Sequence, residues 1–111
     1  MRAPTECLRD ILEAIERIER RCGGGRKTFD ADELLQVWVL HHLQTIGEAC
    51  RALPEDFRAR HSAVPWNRAI GMRHILVHHY FEIDADIVWS VVENELAPLK
   101  RAILAILSGG D

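Results

Sequence analysis

The sequence contains little cysteine. Its three cysteines, Cys7, Cys22 and Cys50, are odd in number and widely spaced. No two of them form a C-x-x-C pair, so the pattern indicates neither a redox pair nor a zinc knuckle. We expect three reduced thiols that pack as small apolar side chains.

Long apolar runs and positive charge are also lacking. No run approaches the ~18 apolar residues that a membrane-spanning helix needs, and the first residues lack the apolar block and cleavage site of a signal peptide. We therefore expect a cytoplasmic protein without membrane contact. The net charge of −3 with neutral histidines is not that of a protein that coats nucleic acid over its whole surface. Contact with RNA or DNA would need a local basic cleft on an acidic body.

The composition is that of a soluble globular protein. The chain has 111 residues, of which 48% are apolar and 28% charged. This length predicts one domain over residues 1–111, with a single core that needs no disulfide staples.

Apolar residues recur every three or four positions along most of the chain, which predicts α-helices. The first helix ends at the glycines 23–25, because glycine tolerates the left-handed conformation after a helix. The second begins at Asp30, where Glu33 would complete a capping box. Phe29 and Leu34 are spaced for a hydrophobic staple around that cap.

The second helix is predicted to reach about Leu53. Its apolar stripe is wide enough for more than one partner, and one partner could be another subunit. A short helix is expected from Pro54 to about Arg60, and Pro65 opens the next helix. The last begins near Asp84, and Pro98 should bend or split it. Four main helices and a short one, with no strand pattern, predict an all-α antiparallel bundle.

The stretch GMRHILVHHYFEID, residues 71–84, is unusually rich in histidine. On a helix His74 and His78 would share a face, and Gly71 one turn earlier would let a backbone or ligand approach closely. Arg73 and His78 would point ~140° apart. They can serve one site only if the helix ends near His78 or if two chains build the site together.

Three interpretations of this stretch are open. A metal site needs a third ligand beside His74 and His78, for which His41 or His42 is available. However, no H-E-x-x-H or paired Glu-x-x-His motif is present, and we predict no metal and no cofactor. A structural interpretation pairs Arg73 with an acid and leaves the histidines at the surface.

The chemical interpretation is cleavage of a phosphodiester. RNA carries its own nucleophile, the 2′-hydroxyl, so cleavage needs a group that moves protons near neutral pH and a cation for the phosphate charge. His78 suits the first task and Arg73 the second. Tyr80 offers a hydroxyl close to the same site.

Arg73, His78 and Tyr80 reproduce an R-x4-H-x-Y motif, in which the chain resembles the HepT-like toxins of the HEPN ribonuclease superfamily. The resemblance covers nearly the whole chain, in the order that these proteins show. The segments that carry it are LRDILEAIERIER, IGEACRALPEDFRARH, VPWNRAIGMRHILVHHYFEID and VENELAPLKRAI.

The resemblance implies a HEPN-like helical homodimer in which the motifs of two subunits meet in a cleft. It implies a toxin that cleaves RNA without metal, with Arg73 and His78 as catalytic residues and His74 in support, although asparagine is more usual there. Its partner would be an MntA-like nucleotidyltransferase antitoxin that transfers AMP from ATP onto Tyr80. No role is expected for His79.

A second function class stays open. The chain could be a non-catalytic accessory module that docks a nucleotidyltransferase and holds nucleotide or RNA without cutting it. The acidic balance of the chain favours this module, whereas the pairing of a cation with a proton-transfer group favours the nuclease.

Overall fold

The computed structural model describes residues 3–74, 77–78 and 82–109, with the backbone alone at 77, 78 and 82. Within these ranges the chain is almost entirely helical. The elements in chain order are α1 (Pro4–Arg21), α2 (Gly25–Asp30), α3 (Glu33–Ala52), α4 (Glu55–Arg60), α5 (Trp66–Gly71), a 3-10 helix (Met72–His74), β1 (Val77–His78), β2 (Glu82–Ile83), α6 (Ala85–Asn94) and α7 (Leu96–Leu107).

The core lies between the longest helices. The inward stripes of α1, α3 and α7 meet in it, and the side chains that are entirely or almost entirely buried include Ile11, Ile15, Ile18, Val39, Leu43, Ile46, Leu99 and Ile103. α3 packs against α1, α2, α5, α6 and the 3-10 helix, as the width of its stripe predicts. The predicted all-α class is confirmed. None of the helices in the described ranges is both long and apolar enough to cross a membrane.

The predicted start of the long helix is wrong by two residues. The side chain of Asp32, rather than Asp30, caps α3 by accepting a hydrogen bond from the Leu35 N–H at 3.0 Å. Asp30 instead closes the short helix α2, which buries Phe29 in the core. Leu34 is 82% exposed, so the predicted staple does not form. Because Asp30 is the last residue of α2, the N-cap of α3 lies two residues later, at Asp32.

Outside the histidine-rich stretch, the other predicted helix boundaries agree with the structure. Pro54 precedes the short helix α4, and Asp84 caps α6 by accepting from the Ile87 N–H at 3.1 Å. The last helix is split, since α6 ends at Asn94 and Pro98 lies in the first turn of α7. A missing N–H costs little in a first turn, because that group has no partner within the helix.

The histidine-rich stretch is not the helix that was predicted. α5 ends at Gly71 and one 3-10 turn follows, after which β1 pairs antiparallel with β2 and places His78 opposite Glu82. His74 and His78 therefore share no helix face. Gly71 is a poor helix former, and the backbone of β1 forms its hydrogen bonds with β2 instead of within a helix. The spacing of apolar residues along the sequence does not reveal this pairing.

All three cysteines are free. Cys7 and Cys50 are buried among apolar side chains and Cys22 is half-buried, in agreement with the prediction that they act as small apolar residues. Burial raises the pKa of the Cys50 thiol to about 12. This thiol is therefore neutral at physiological pH.

Candidate active site

Arg73 lies in the 3-10 helix, which is pressed against α3. The contact point on α3 is Gly47, because a Cβ added there would lie 2.4 Å from the backbone nitrogen of Arg73 and 2.9 Å from its Cβ. Real Cβ atoms do not come so close to backbone atoms, so a side chain at this position would push the two elements apart. Gly47 therefore sets the depth at which the backbone of Arg73 lies.

The guanidinium of Arg73 contacts two other side chains. Its Nε donates a hydrogen bond to Nε2 of His74 at 3.0 Å. Its Nη1 forms an ion pair with Oε1 of Glu48, which lies one residue beyond Gly47 on α3, at 3.3 Å. The Arg73 side chain is 22% exposed, so it is largely covered and keeps some contact with solvent. A cation in this setting can meet an incoming phosphate without being mobile.

Arg73 and His74 are in direct contact through this hydrogen bond, in which the ring nitrogen of His74 is the acceptor. The supporting role predicted for His74 stays a prediction. His74 itself is exposed at the surface.

The structure describes His78 only through its backbone in β1. His78 lies five positions after Arg73 in the chain, so their Cα atoms lie within about 18 Å of each other. The predicted acceptor Tyr80, and His79 beside it, lie outside the described residues.

A groove of about 530 Å³ runs between α1 and α3 and passes Glu48. It is lined by Asp10, Glu13, Ala14, Arg17, His41, His42, Thr45, Glu48, Ala49 and Ala52. Its carboxylates outnumber its single guanidinium, that of Arg17, which is itself paired with Glu13 at 2.9 Å. The groove is thus a poor path for an RNA backbone, since phosphates would meet like charge.

Among the side chains that the structure describes, no group of three or more histidine, cysteine or acidic residues could hold a metal ion. The rings of His41 and His42 are neighbours, with centroids 5.3 Å apart. Burial, followed by the nearby charges of His41 and Arg17, lowers the pKa of His42. These rings lie along the α1–α3 groove rather than beside Arg73.

Gly47 and Glu48 are the site residues that the sequence interpretation missed. The interpretation expected a backbone or a ligand to approach closely at Gly71, and no atom of the described residues lies within 4 Å of a Cβ placed there. A glycine inside the apolar stripe of a long helix is a usable signal, because it weakens the helix and usually has a packing reason. Glu48 gives no signal by itself, since an exposed glutamate on a helix is ordinary.

Comparison with known proteins agrees with these features. Residues 11–106 match the family model described as ribonuclease HepT-like. The chain is 37% identical over 108 residues to "Putative RNase TTE0752" of Caldanaerobacter subterraneus subsp. tengcongensis, covering 96% of each chain. It is 36% identical over 103 residues to "Probable ribonuclease HepT" of Thermococcus cleftensis, covering 89% of this chain and 91% of the relative.

A third relative, "Putative RNase MJ1380" of Methanocaldococcus jannaschii, is 35% identical over 97 residues, which cover 86% of this chain and 89% of the relative. No solved structure matches the chain. The family match extends from the middle of α1 almost to the end of α7 and includes both the 3-10 helix of Arg73 and the Gly47–Glu48 segment. The chain therefore belongs to the HepT-like family of the HEPN ribonucleases.

Proposed function

We propose that the protein is a metal-independent endoribonuclease, the toxin half of a toxin–antitoxin pair. The observation that carries the proposal is the position of the partly exposed Arg73 side chain. Its Nε lies 3.0 Å from Nε2 of His74 and its Nη1 lies 3.3 Å from Oε1 of Glu48. Family membership supports the reaction class, and the curated relatives are named as ribonucleases. RNA is the substrate that this class implies.

In the proposed reaction the 2′-oxygen of RNA attacks the adjacent phosphorus and the 5′-oxygen leaves. The products are a 2′,3′-cyclic phosphate and a free 5′-hydroxyl. His78 moves a proton between these oxygens, because imidazole titrates near neutral pH. Arg73 stabilises the charge that builds on the non-bridging oxygens, for which a planar guanidinium fork is well suited. His74 supports Arg73 through its hydrogen bond.

A homodimer is part of the proposal. Leu34 and Val37 near the start of α3 are 82% and 51% exposed, and helical spacing places them on the same side of α3 as His41 and Glu48. A second copy of the chain on this surface would cover the apolar side chains and bring its own motif towards Arg73. Such a self-complementary contact is the usual way that two identical chains pair.

We further propose that an MntA-like nucleotidyltransferase antitoxin silences the protein by transferring AMP to Tyr80. The support is the position of Tyr80 two residues after His78 in the family motif. A nucleotide monophosphate there would add negative charge and bulk beside the imidazole. It would compete with the RNA phosphate for Arg73.

The alternative is a non-catalytic module that docks a nucleotidyltransferase. Two observations favour it: the net charge of −3 and the pairing of Arg73 with an acid, Glu48. A docking module would bind RNA or nucleotide without turnover. The two functions therefore differ in whether the RNA chain is cut.

The deciding experiment incubates purified protein with total cellular RNA in the presence of a chelator. We expect cleavage fragments with 2′,3′-cyclic phosphate ends, and His78→Ala should lower the rate at least ~100-fold because it removes the proton carrier. His79→Ala is the matched control, a neighbouring histidine that should keep the wild-type rate. Intact RNA with the folded wild-type protein would support the docking module instead.

The antitoxin step is tested with labelled ATP and the partner enzyme. Wild-type protein should take up label and lose cleavage, whereas Tyr80→Phe should cleave RNA and remain unlabelled. Continued labelling of Tyr80→Phe would exclude Tyr80 as the acceptor. His79→Ala again serves as a neighbouring change that should leave labelling intact.

A further inference from the structure

We infer that Glu48 is a positioning residue that aims the guanidinium of Arg73 at the phosphate. The contact between the two side chains is a feature of the structure. Its catalytic meaning rests on the ribonuclease function proposed above. Glu48 lies outside the family motif and on a different helix from it, so this role concerns how α3 takes part in the site.

Arg73 is held at several points. Its backbone is set by the close approach to Gly47, but an arginine side chain has several further rotatable bonds. The hydrogen bond from Nε to His74 fixes one nitrogen, and the ion pair of Nη1 with Glu48 fixes a second. Two anchored nitrogens define the plane of a rigid guanidinium, whereas one anchor would leave it free to swing.

One edge of the Arg73 guanidinium is left for a ligand. Bidentate binding of phosphate uses two parallel N–H groups along one edge. Because Nε already donates to His74, the edge between Nη1 and Nη2 is the fork that can face a phosphate. Nη1 carries two N–H groups, so it can contact Glu48 and still contribute to this fork. Glu48 thus decides the direction in which the fork points.

The exposure of the ion pair between Glu48 and Arg73 decides how much it contributes to the stability of the fold. The side chains of Glu48 and Arg73 are 61% and 22% exposed, and ion pairs with so much solvent contact contribute little to folding. Loss of the Glu48 charge should therefore alter the aim of Arg73 without unfolding the protein. A carboxylate could also compete with phosphate for Arg73, in which case its removal would accelerate cleavage. The two roles predict opposite signs.

The kinetic test compares Glu48→Gln with wild type in the full-length protein. We expect kcat to fall about tenfold while KM changes less than about twofold, because the aimed cation acts on charge that develops in the transition state. Glu48→Asp keeps the charge and should restore part of kcat. A rate equal to or above that of wild type in Glu48→Gln would overturn the inference.

The matched control is Glu13→Gln. Glu13 is 64% exposed and paired with an arginine, Arg17, at 2.9 Å, but it lies on α1 and does not contact Arg73. It should leave both kcat and KM at their wild-type values. An equal loss in both variants would attribute the effect to the charge of the whole α1–α3 groove and would also overturn the positioning role.

A second readout needs no RNA. In 15N spectra at neutral pH and low temperature, the Nε–H signal of Arg73 is assigned by its disappearance in Arg73→Lys. Glu48→Gln should shift and broaden this signal, and Glu13→Gln should not. An unchanged signal in Glu48→Gln would refute the positioning role even if cleavage is slower. A shifted signal in a protein that cuts no RNA would refute the ribonuclease and leave the contact standing.

Discussion

The two ends of α3 differ in what they present to the rest of the molecule. Near its start, Leu34 and Val37 project into solvent. Near its end, Gly47 is buried against the backbone of Arg73 and Glu48 holds the guanidinium. One helix therefore carries exposed apolar side chains near its start and a tightly packed contact with Arg73 near its end.

Under the proposed function the two ends would meet different requirements. A site that stabilises charge must be held in one geometry, and a glycine that permits close packing beside an acid that contacts the arginine would suit that need. The exposed apolar side chains at the other end would suit the proposed contact with a second chain. The inner face of α3 is buried along its length, from Val39 to Cys50, and joins the two ends rigidly.

The largest effect is expected where the packing is tightest. Gly47→Ala should destabilise the fold by about 2 kcal/mol, since a Cβ cannot lie 2.4 Å from the Arg73 nitrogen and overpacking of a core costs roughly 1–3 kcal/mol. Because Arg73 would be displaced, the variant should also lose most of its RNA cleavage activity. Denaturant unfolding measures the first effect and the RNA cleavage assay the second.

Gly71→Ala is the control for this change. It is the same substitution at a helical glycine where, among the residues that the structure describes, none comes within 4 Å of the new Cβ. We expect a change in unfolding free energy within about 0.5 kcal/mol, typical of an open surface position. Equal destabilisation by the two variants would mean that the close contact between Gly47 and Arg73 is not the cause of the lower stability.

An intermediate effect is expected at the other end of α3. Leu34→Glu combined with Val37→Glu should convert a dimer into a monomer, because four carboxylates would face one another across a self-complementary contact. Light scattering coupled to size exclusion would report the mass. If the cleft is shared between subunits, cleavage should fall together with dimer content.

Leu104→Glu is the matched control for the dimer surface. Leu104 is an apolar side chain on α7 that is 43% exposed, so the change places a carboxylate on an apolar site elsewhere on the surface. The mass should stay that of the wild-type protein. A monomer produced by Leu104→Glu but not by the α3 variant would move the proposed interface to α7.

The smallest effect is expected on the inner face, at Cys50. Because the folded-state pKa of this thiol is about 12 and an unfolded thiol titrates near 8.5–9, its contribution is fully present below that range and is lost as pH rises towards 12. By pH 9.5 the loss should be about 1 kcal/mol. Thermal unfolding of wild type and Cys50→Ala between pH 7.5 and 9.5 should show a steeper decline for wild type, and parallel curves would contradict the burial of the thiol.

The sequence was a good guide to the elements and a poor guide to the functional stretch. The stripes of α1 and α3, the cap at Asp84 and the split near Pro98 follow from local periodicity and capping, and the structure agrees with them. The predicted helix through His78 is wrong because the backbone of β1 pairs with β2. The predicted cap at Asp30 is wrong because Asp30 belongs to the short helix α2, which precedes α3.

The sequence by itself determined the all-α class, the family and the identity of the motif residues, since these depend on short-range spacing that a chain of letters contains. Only the tertiary structure decided what surrounds Arg73. Gly47 and Glu48 are about 25 residues distant along the chain, and their contact with Arg73 exists because α3 packs against the 3-10 helix. Packing between elements joins residues that no local pattern connects, and the geometry of the site arises at that level.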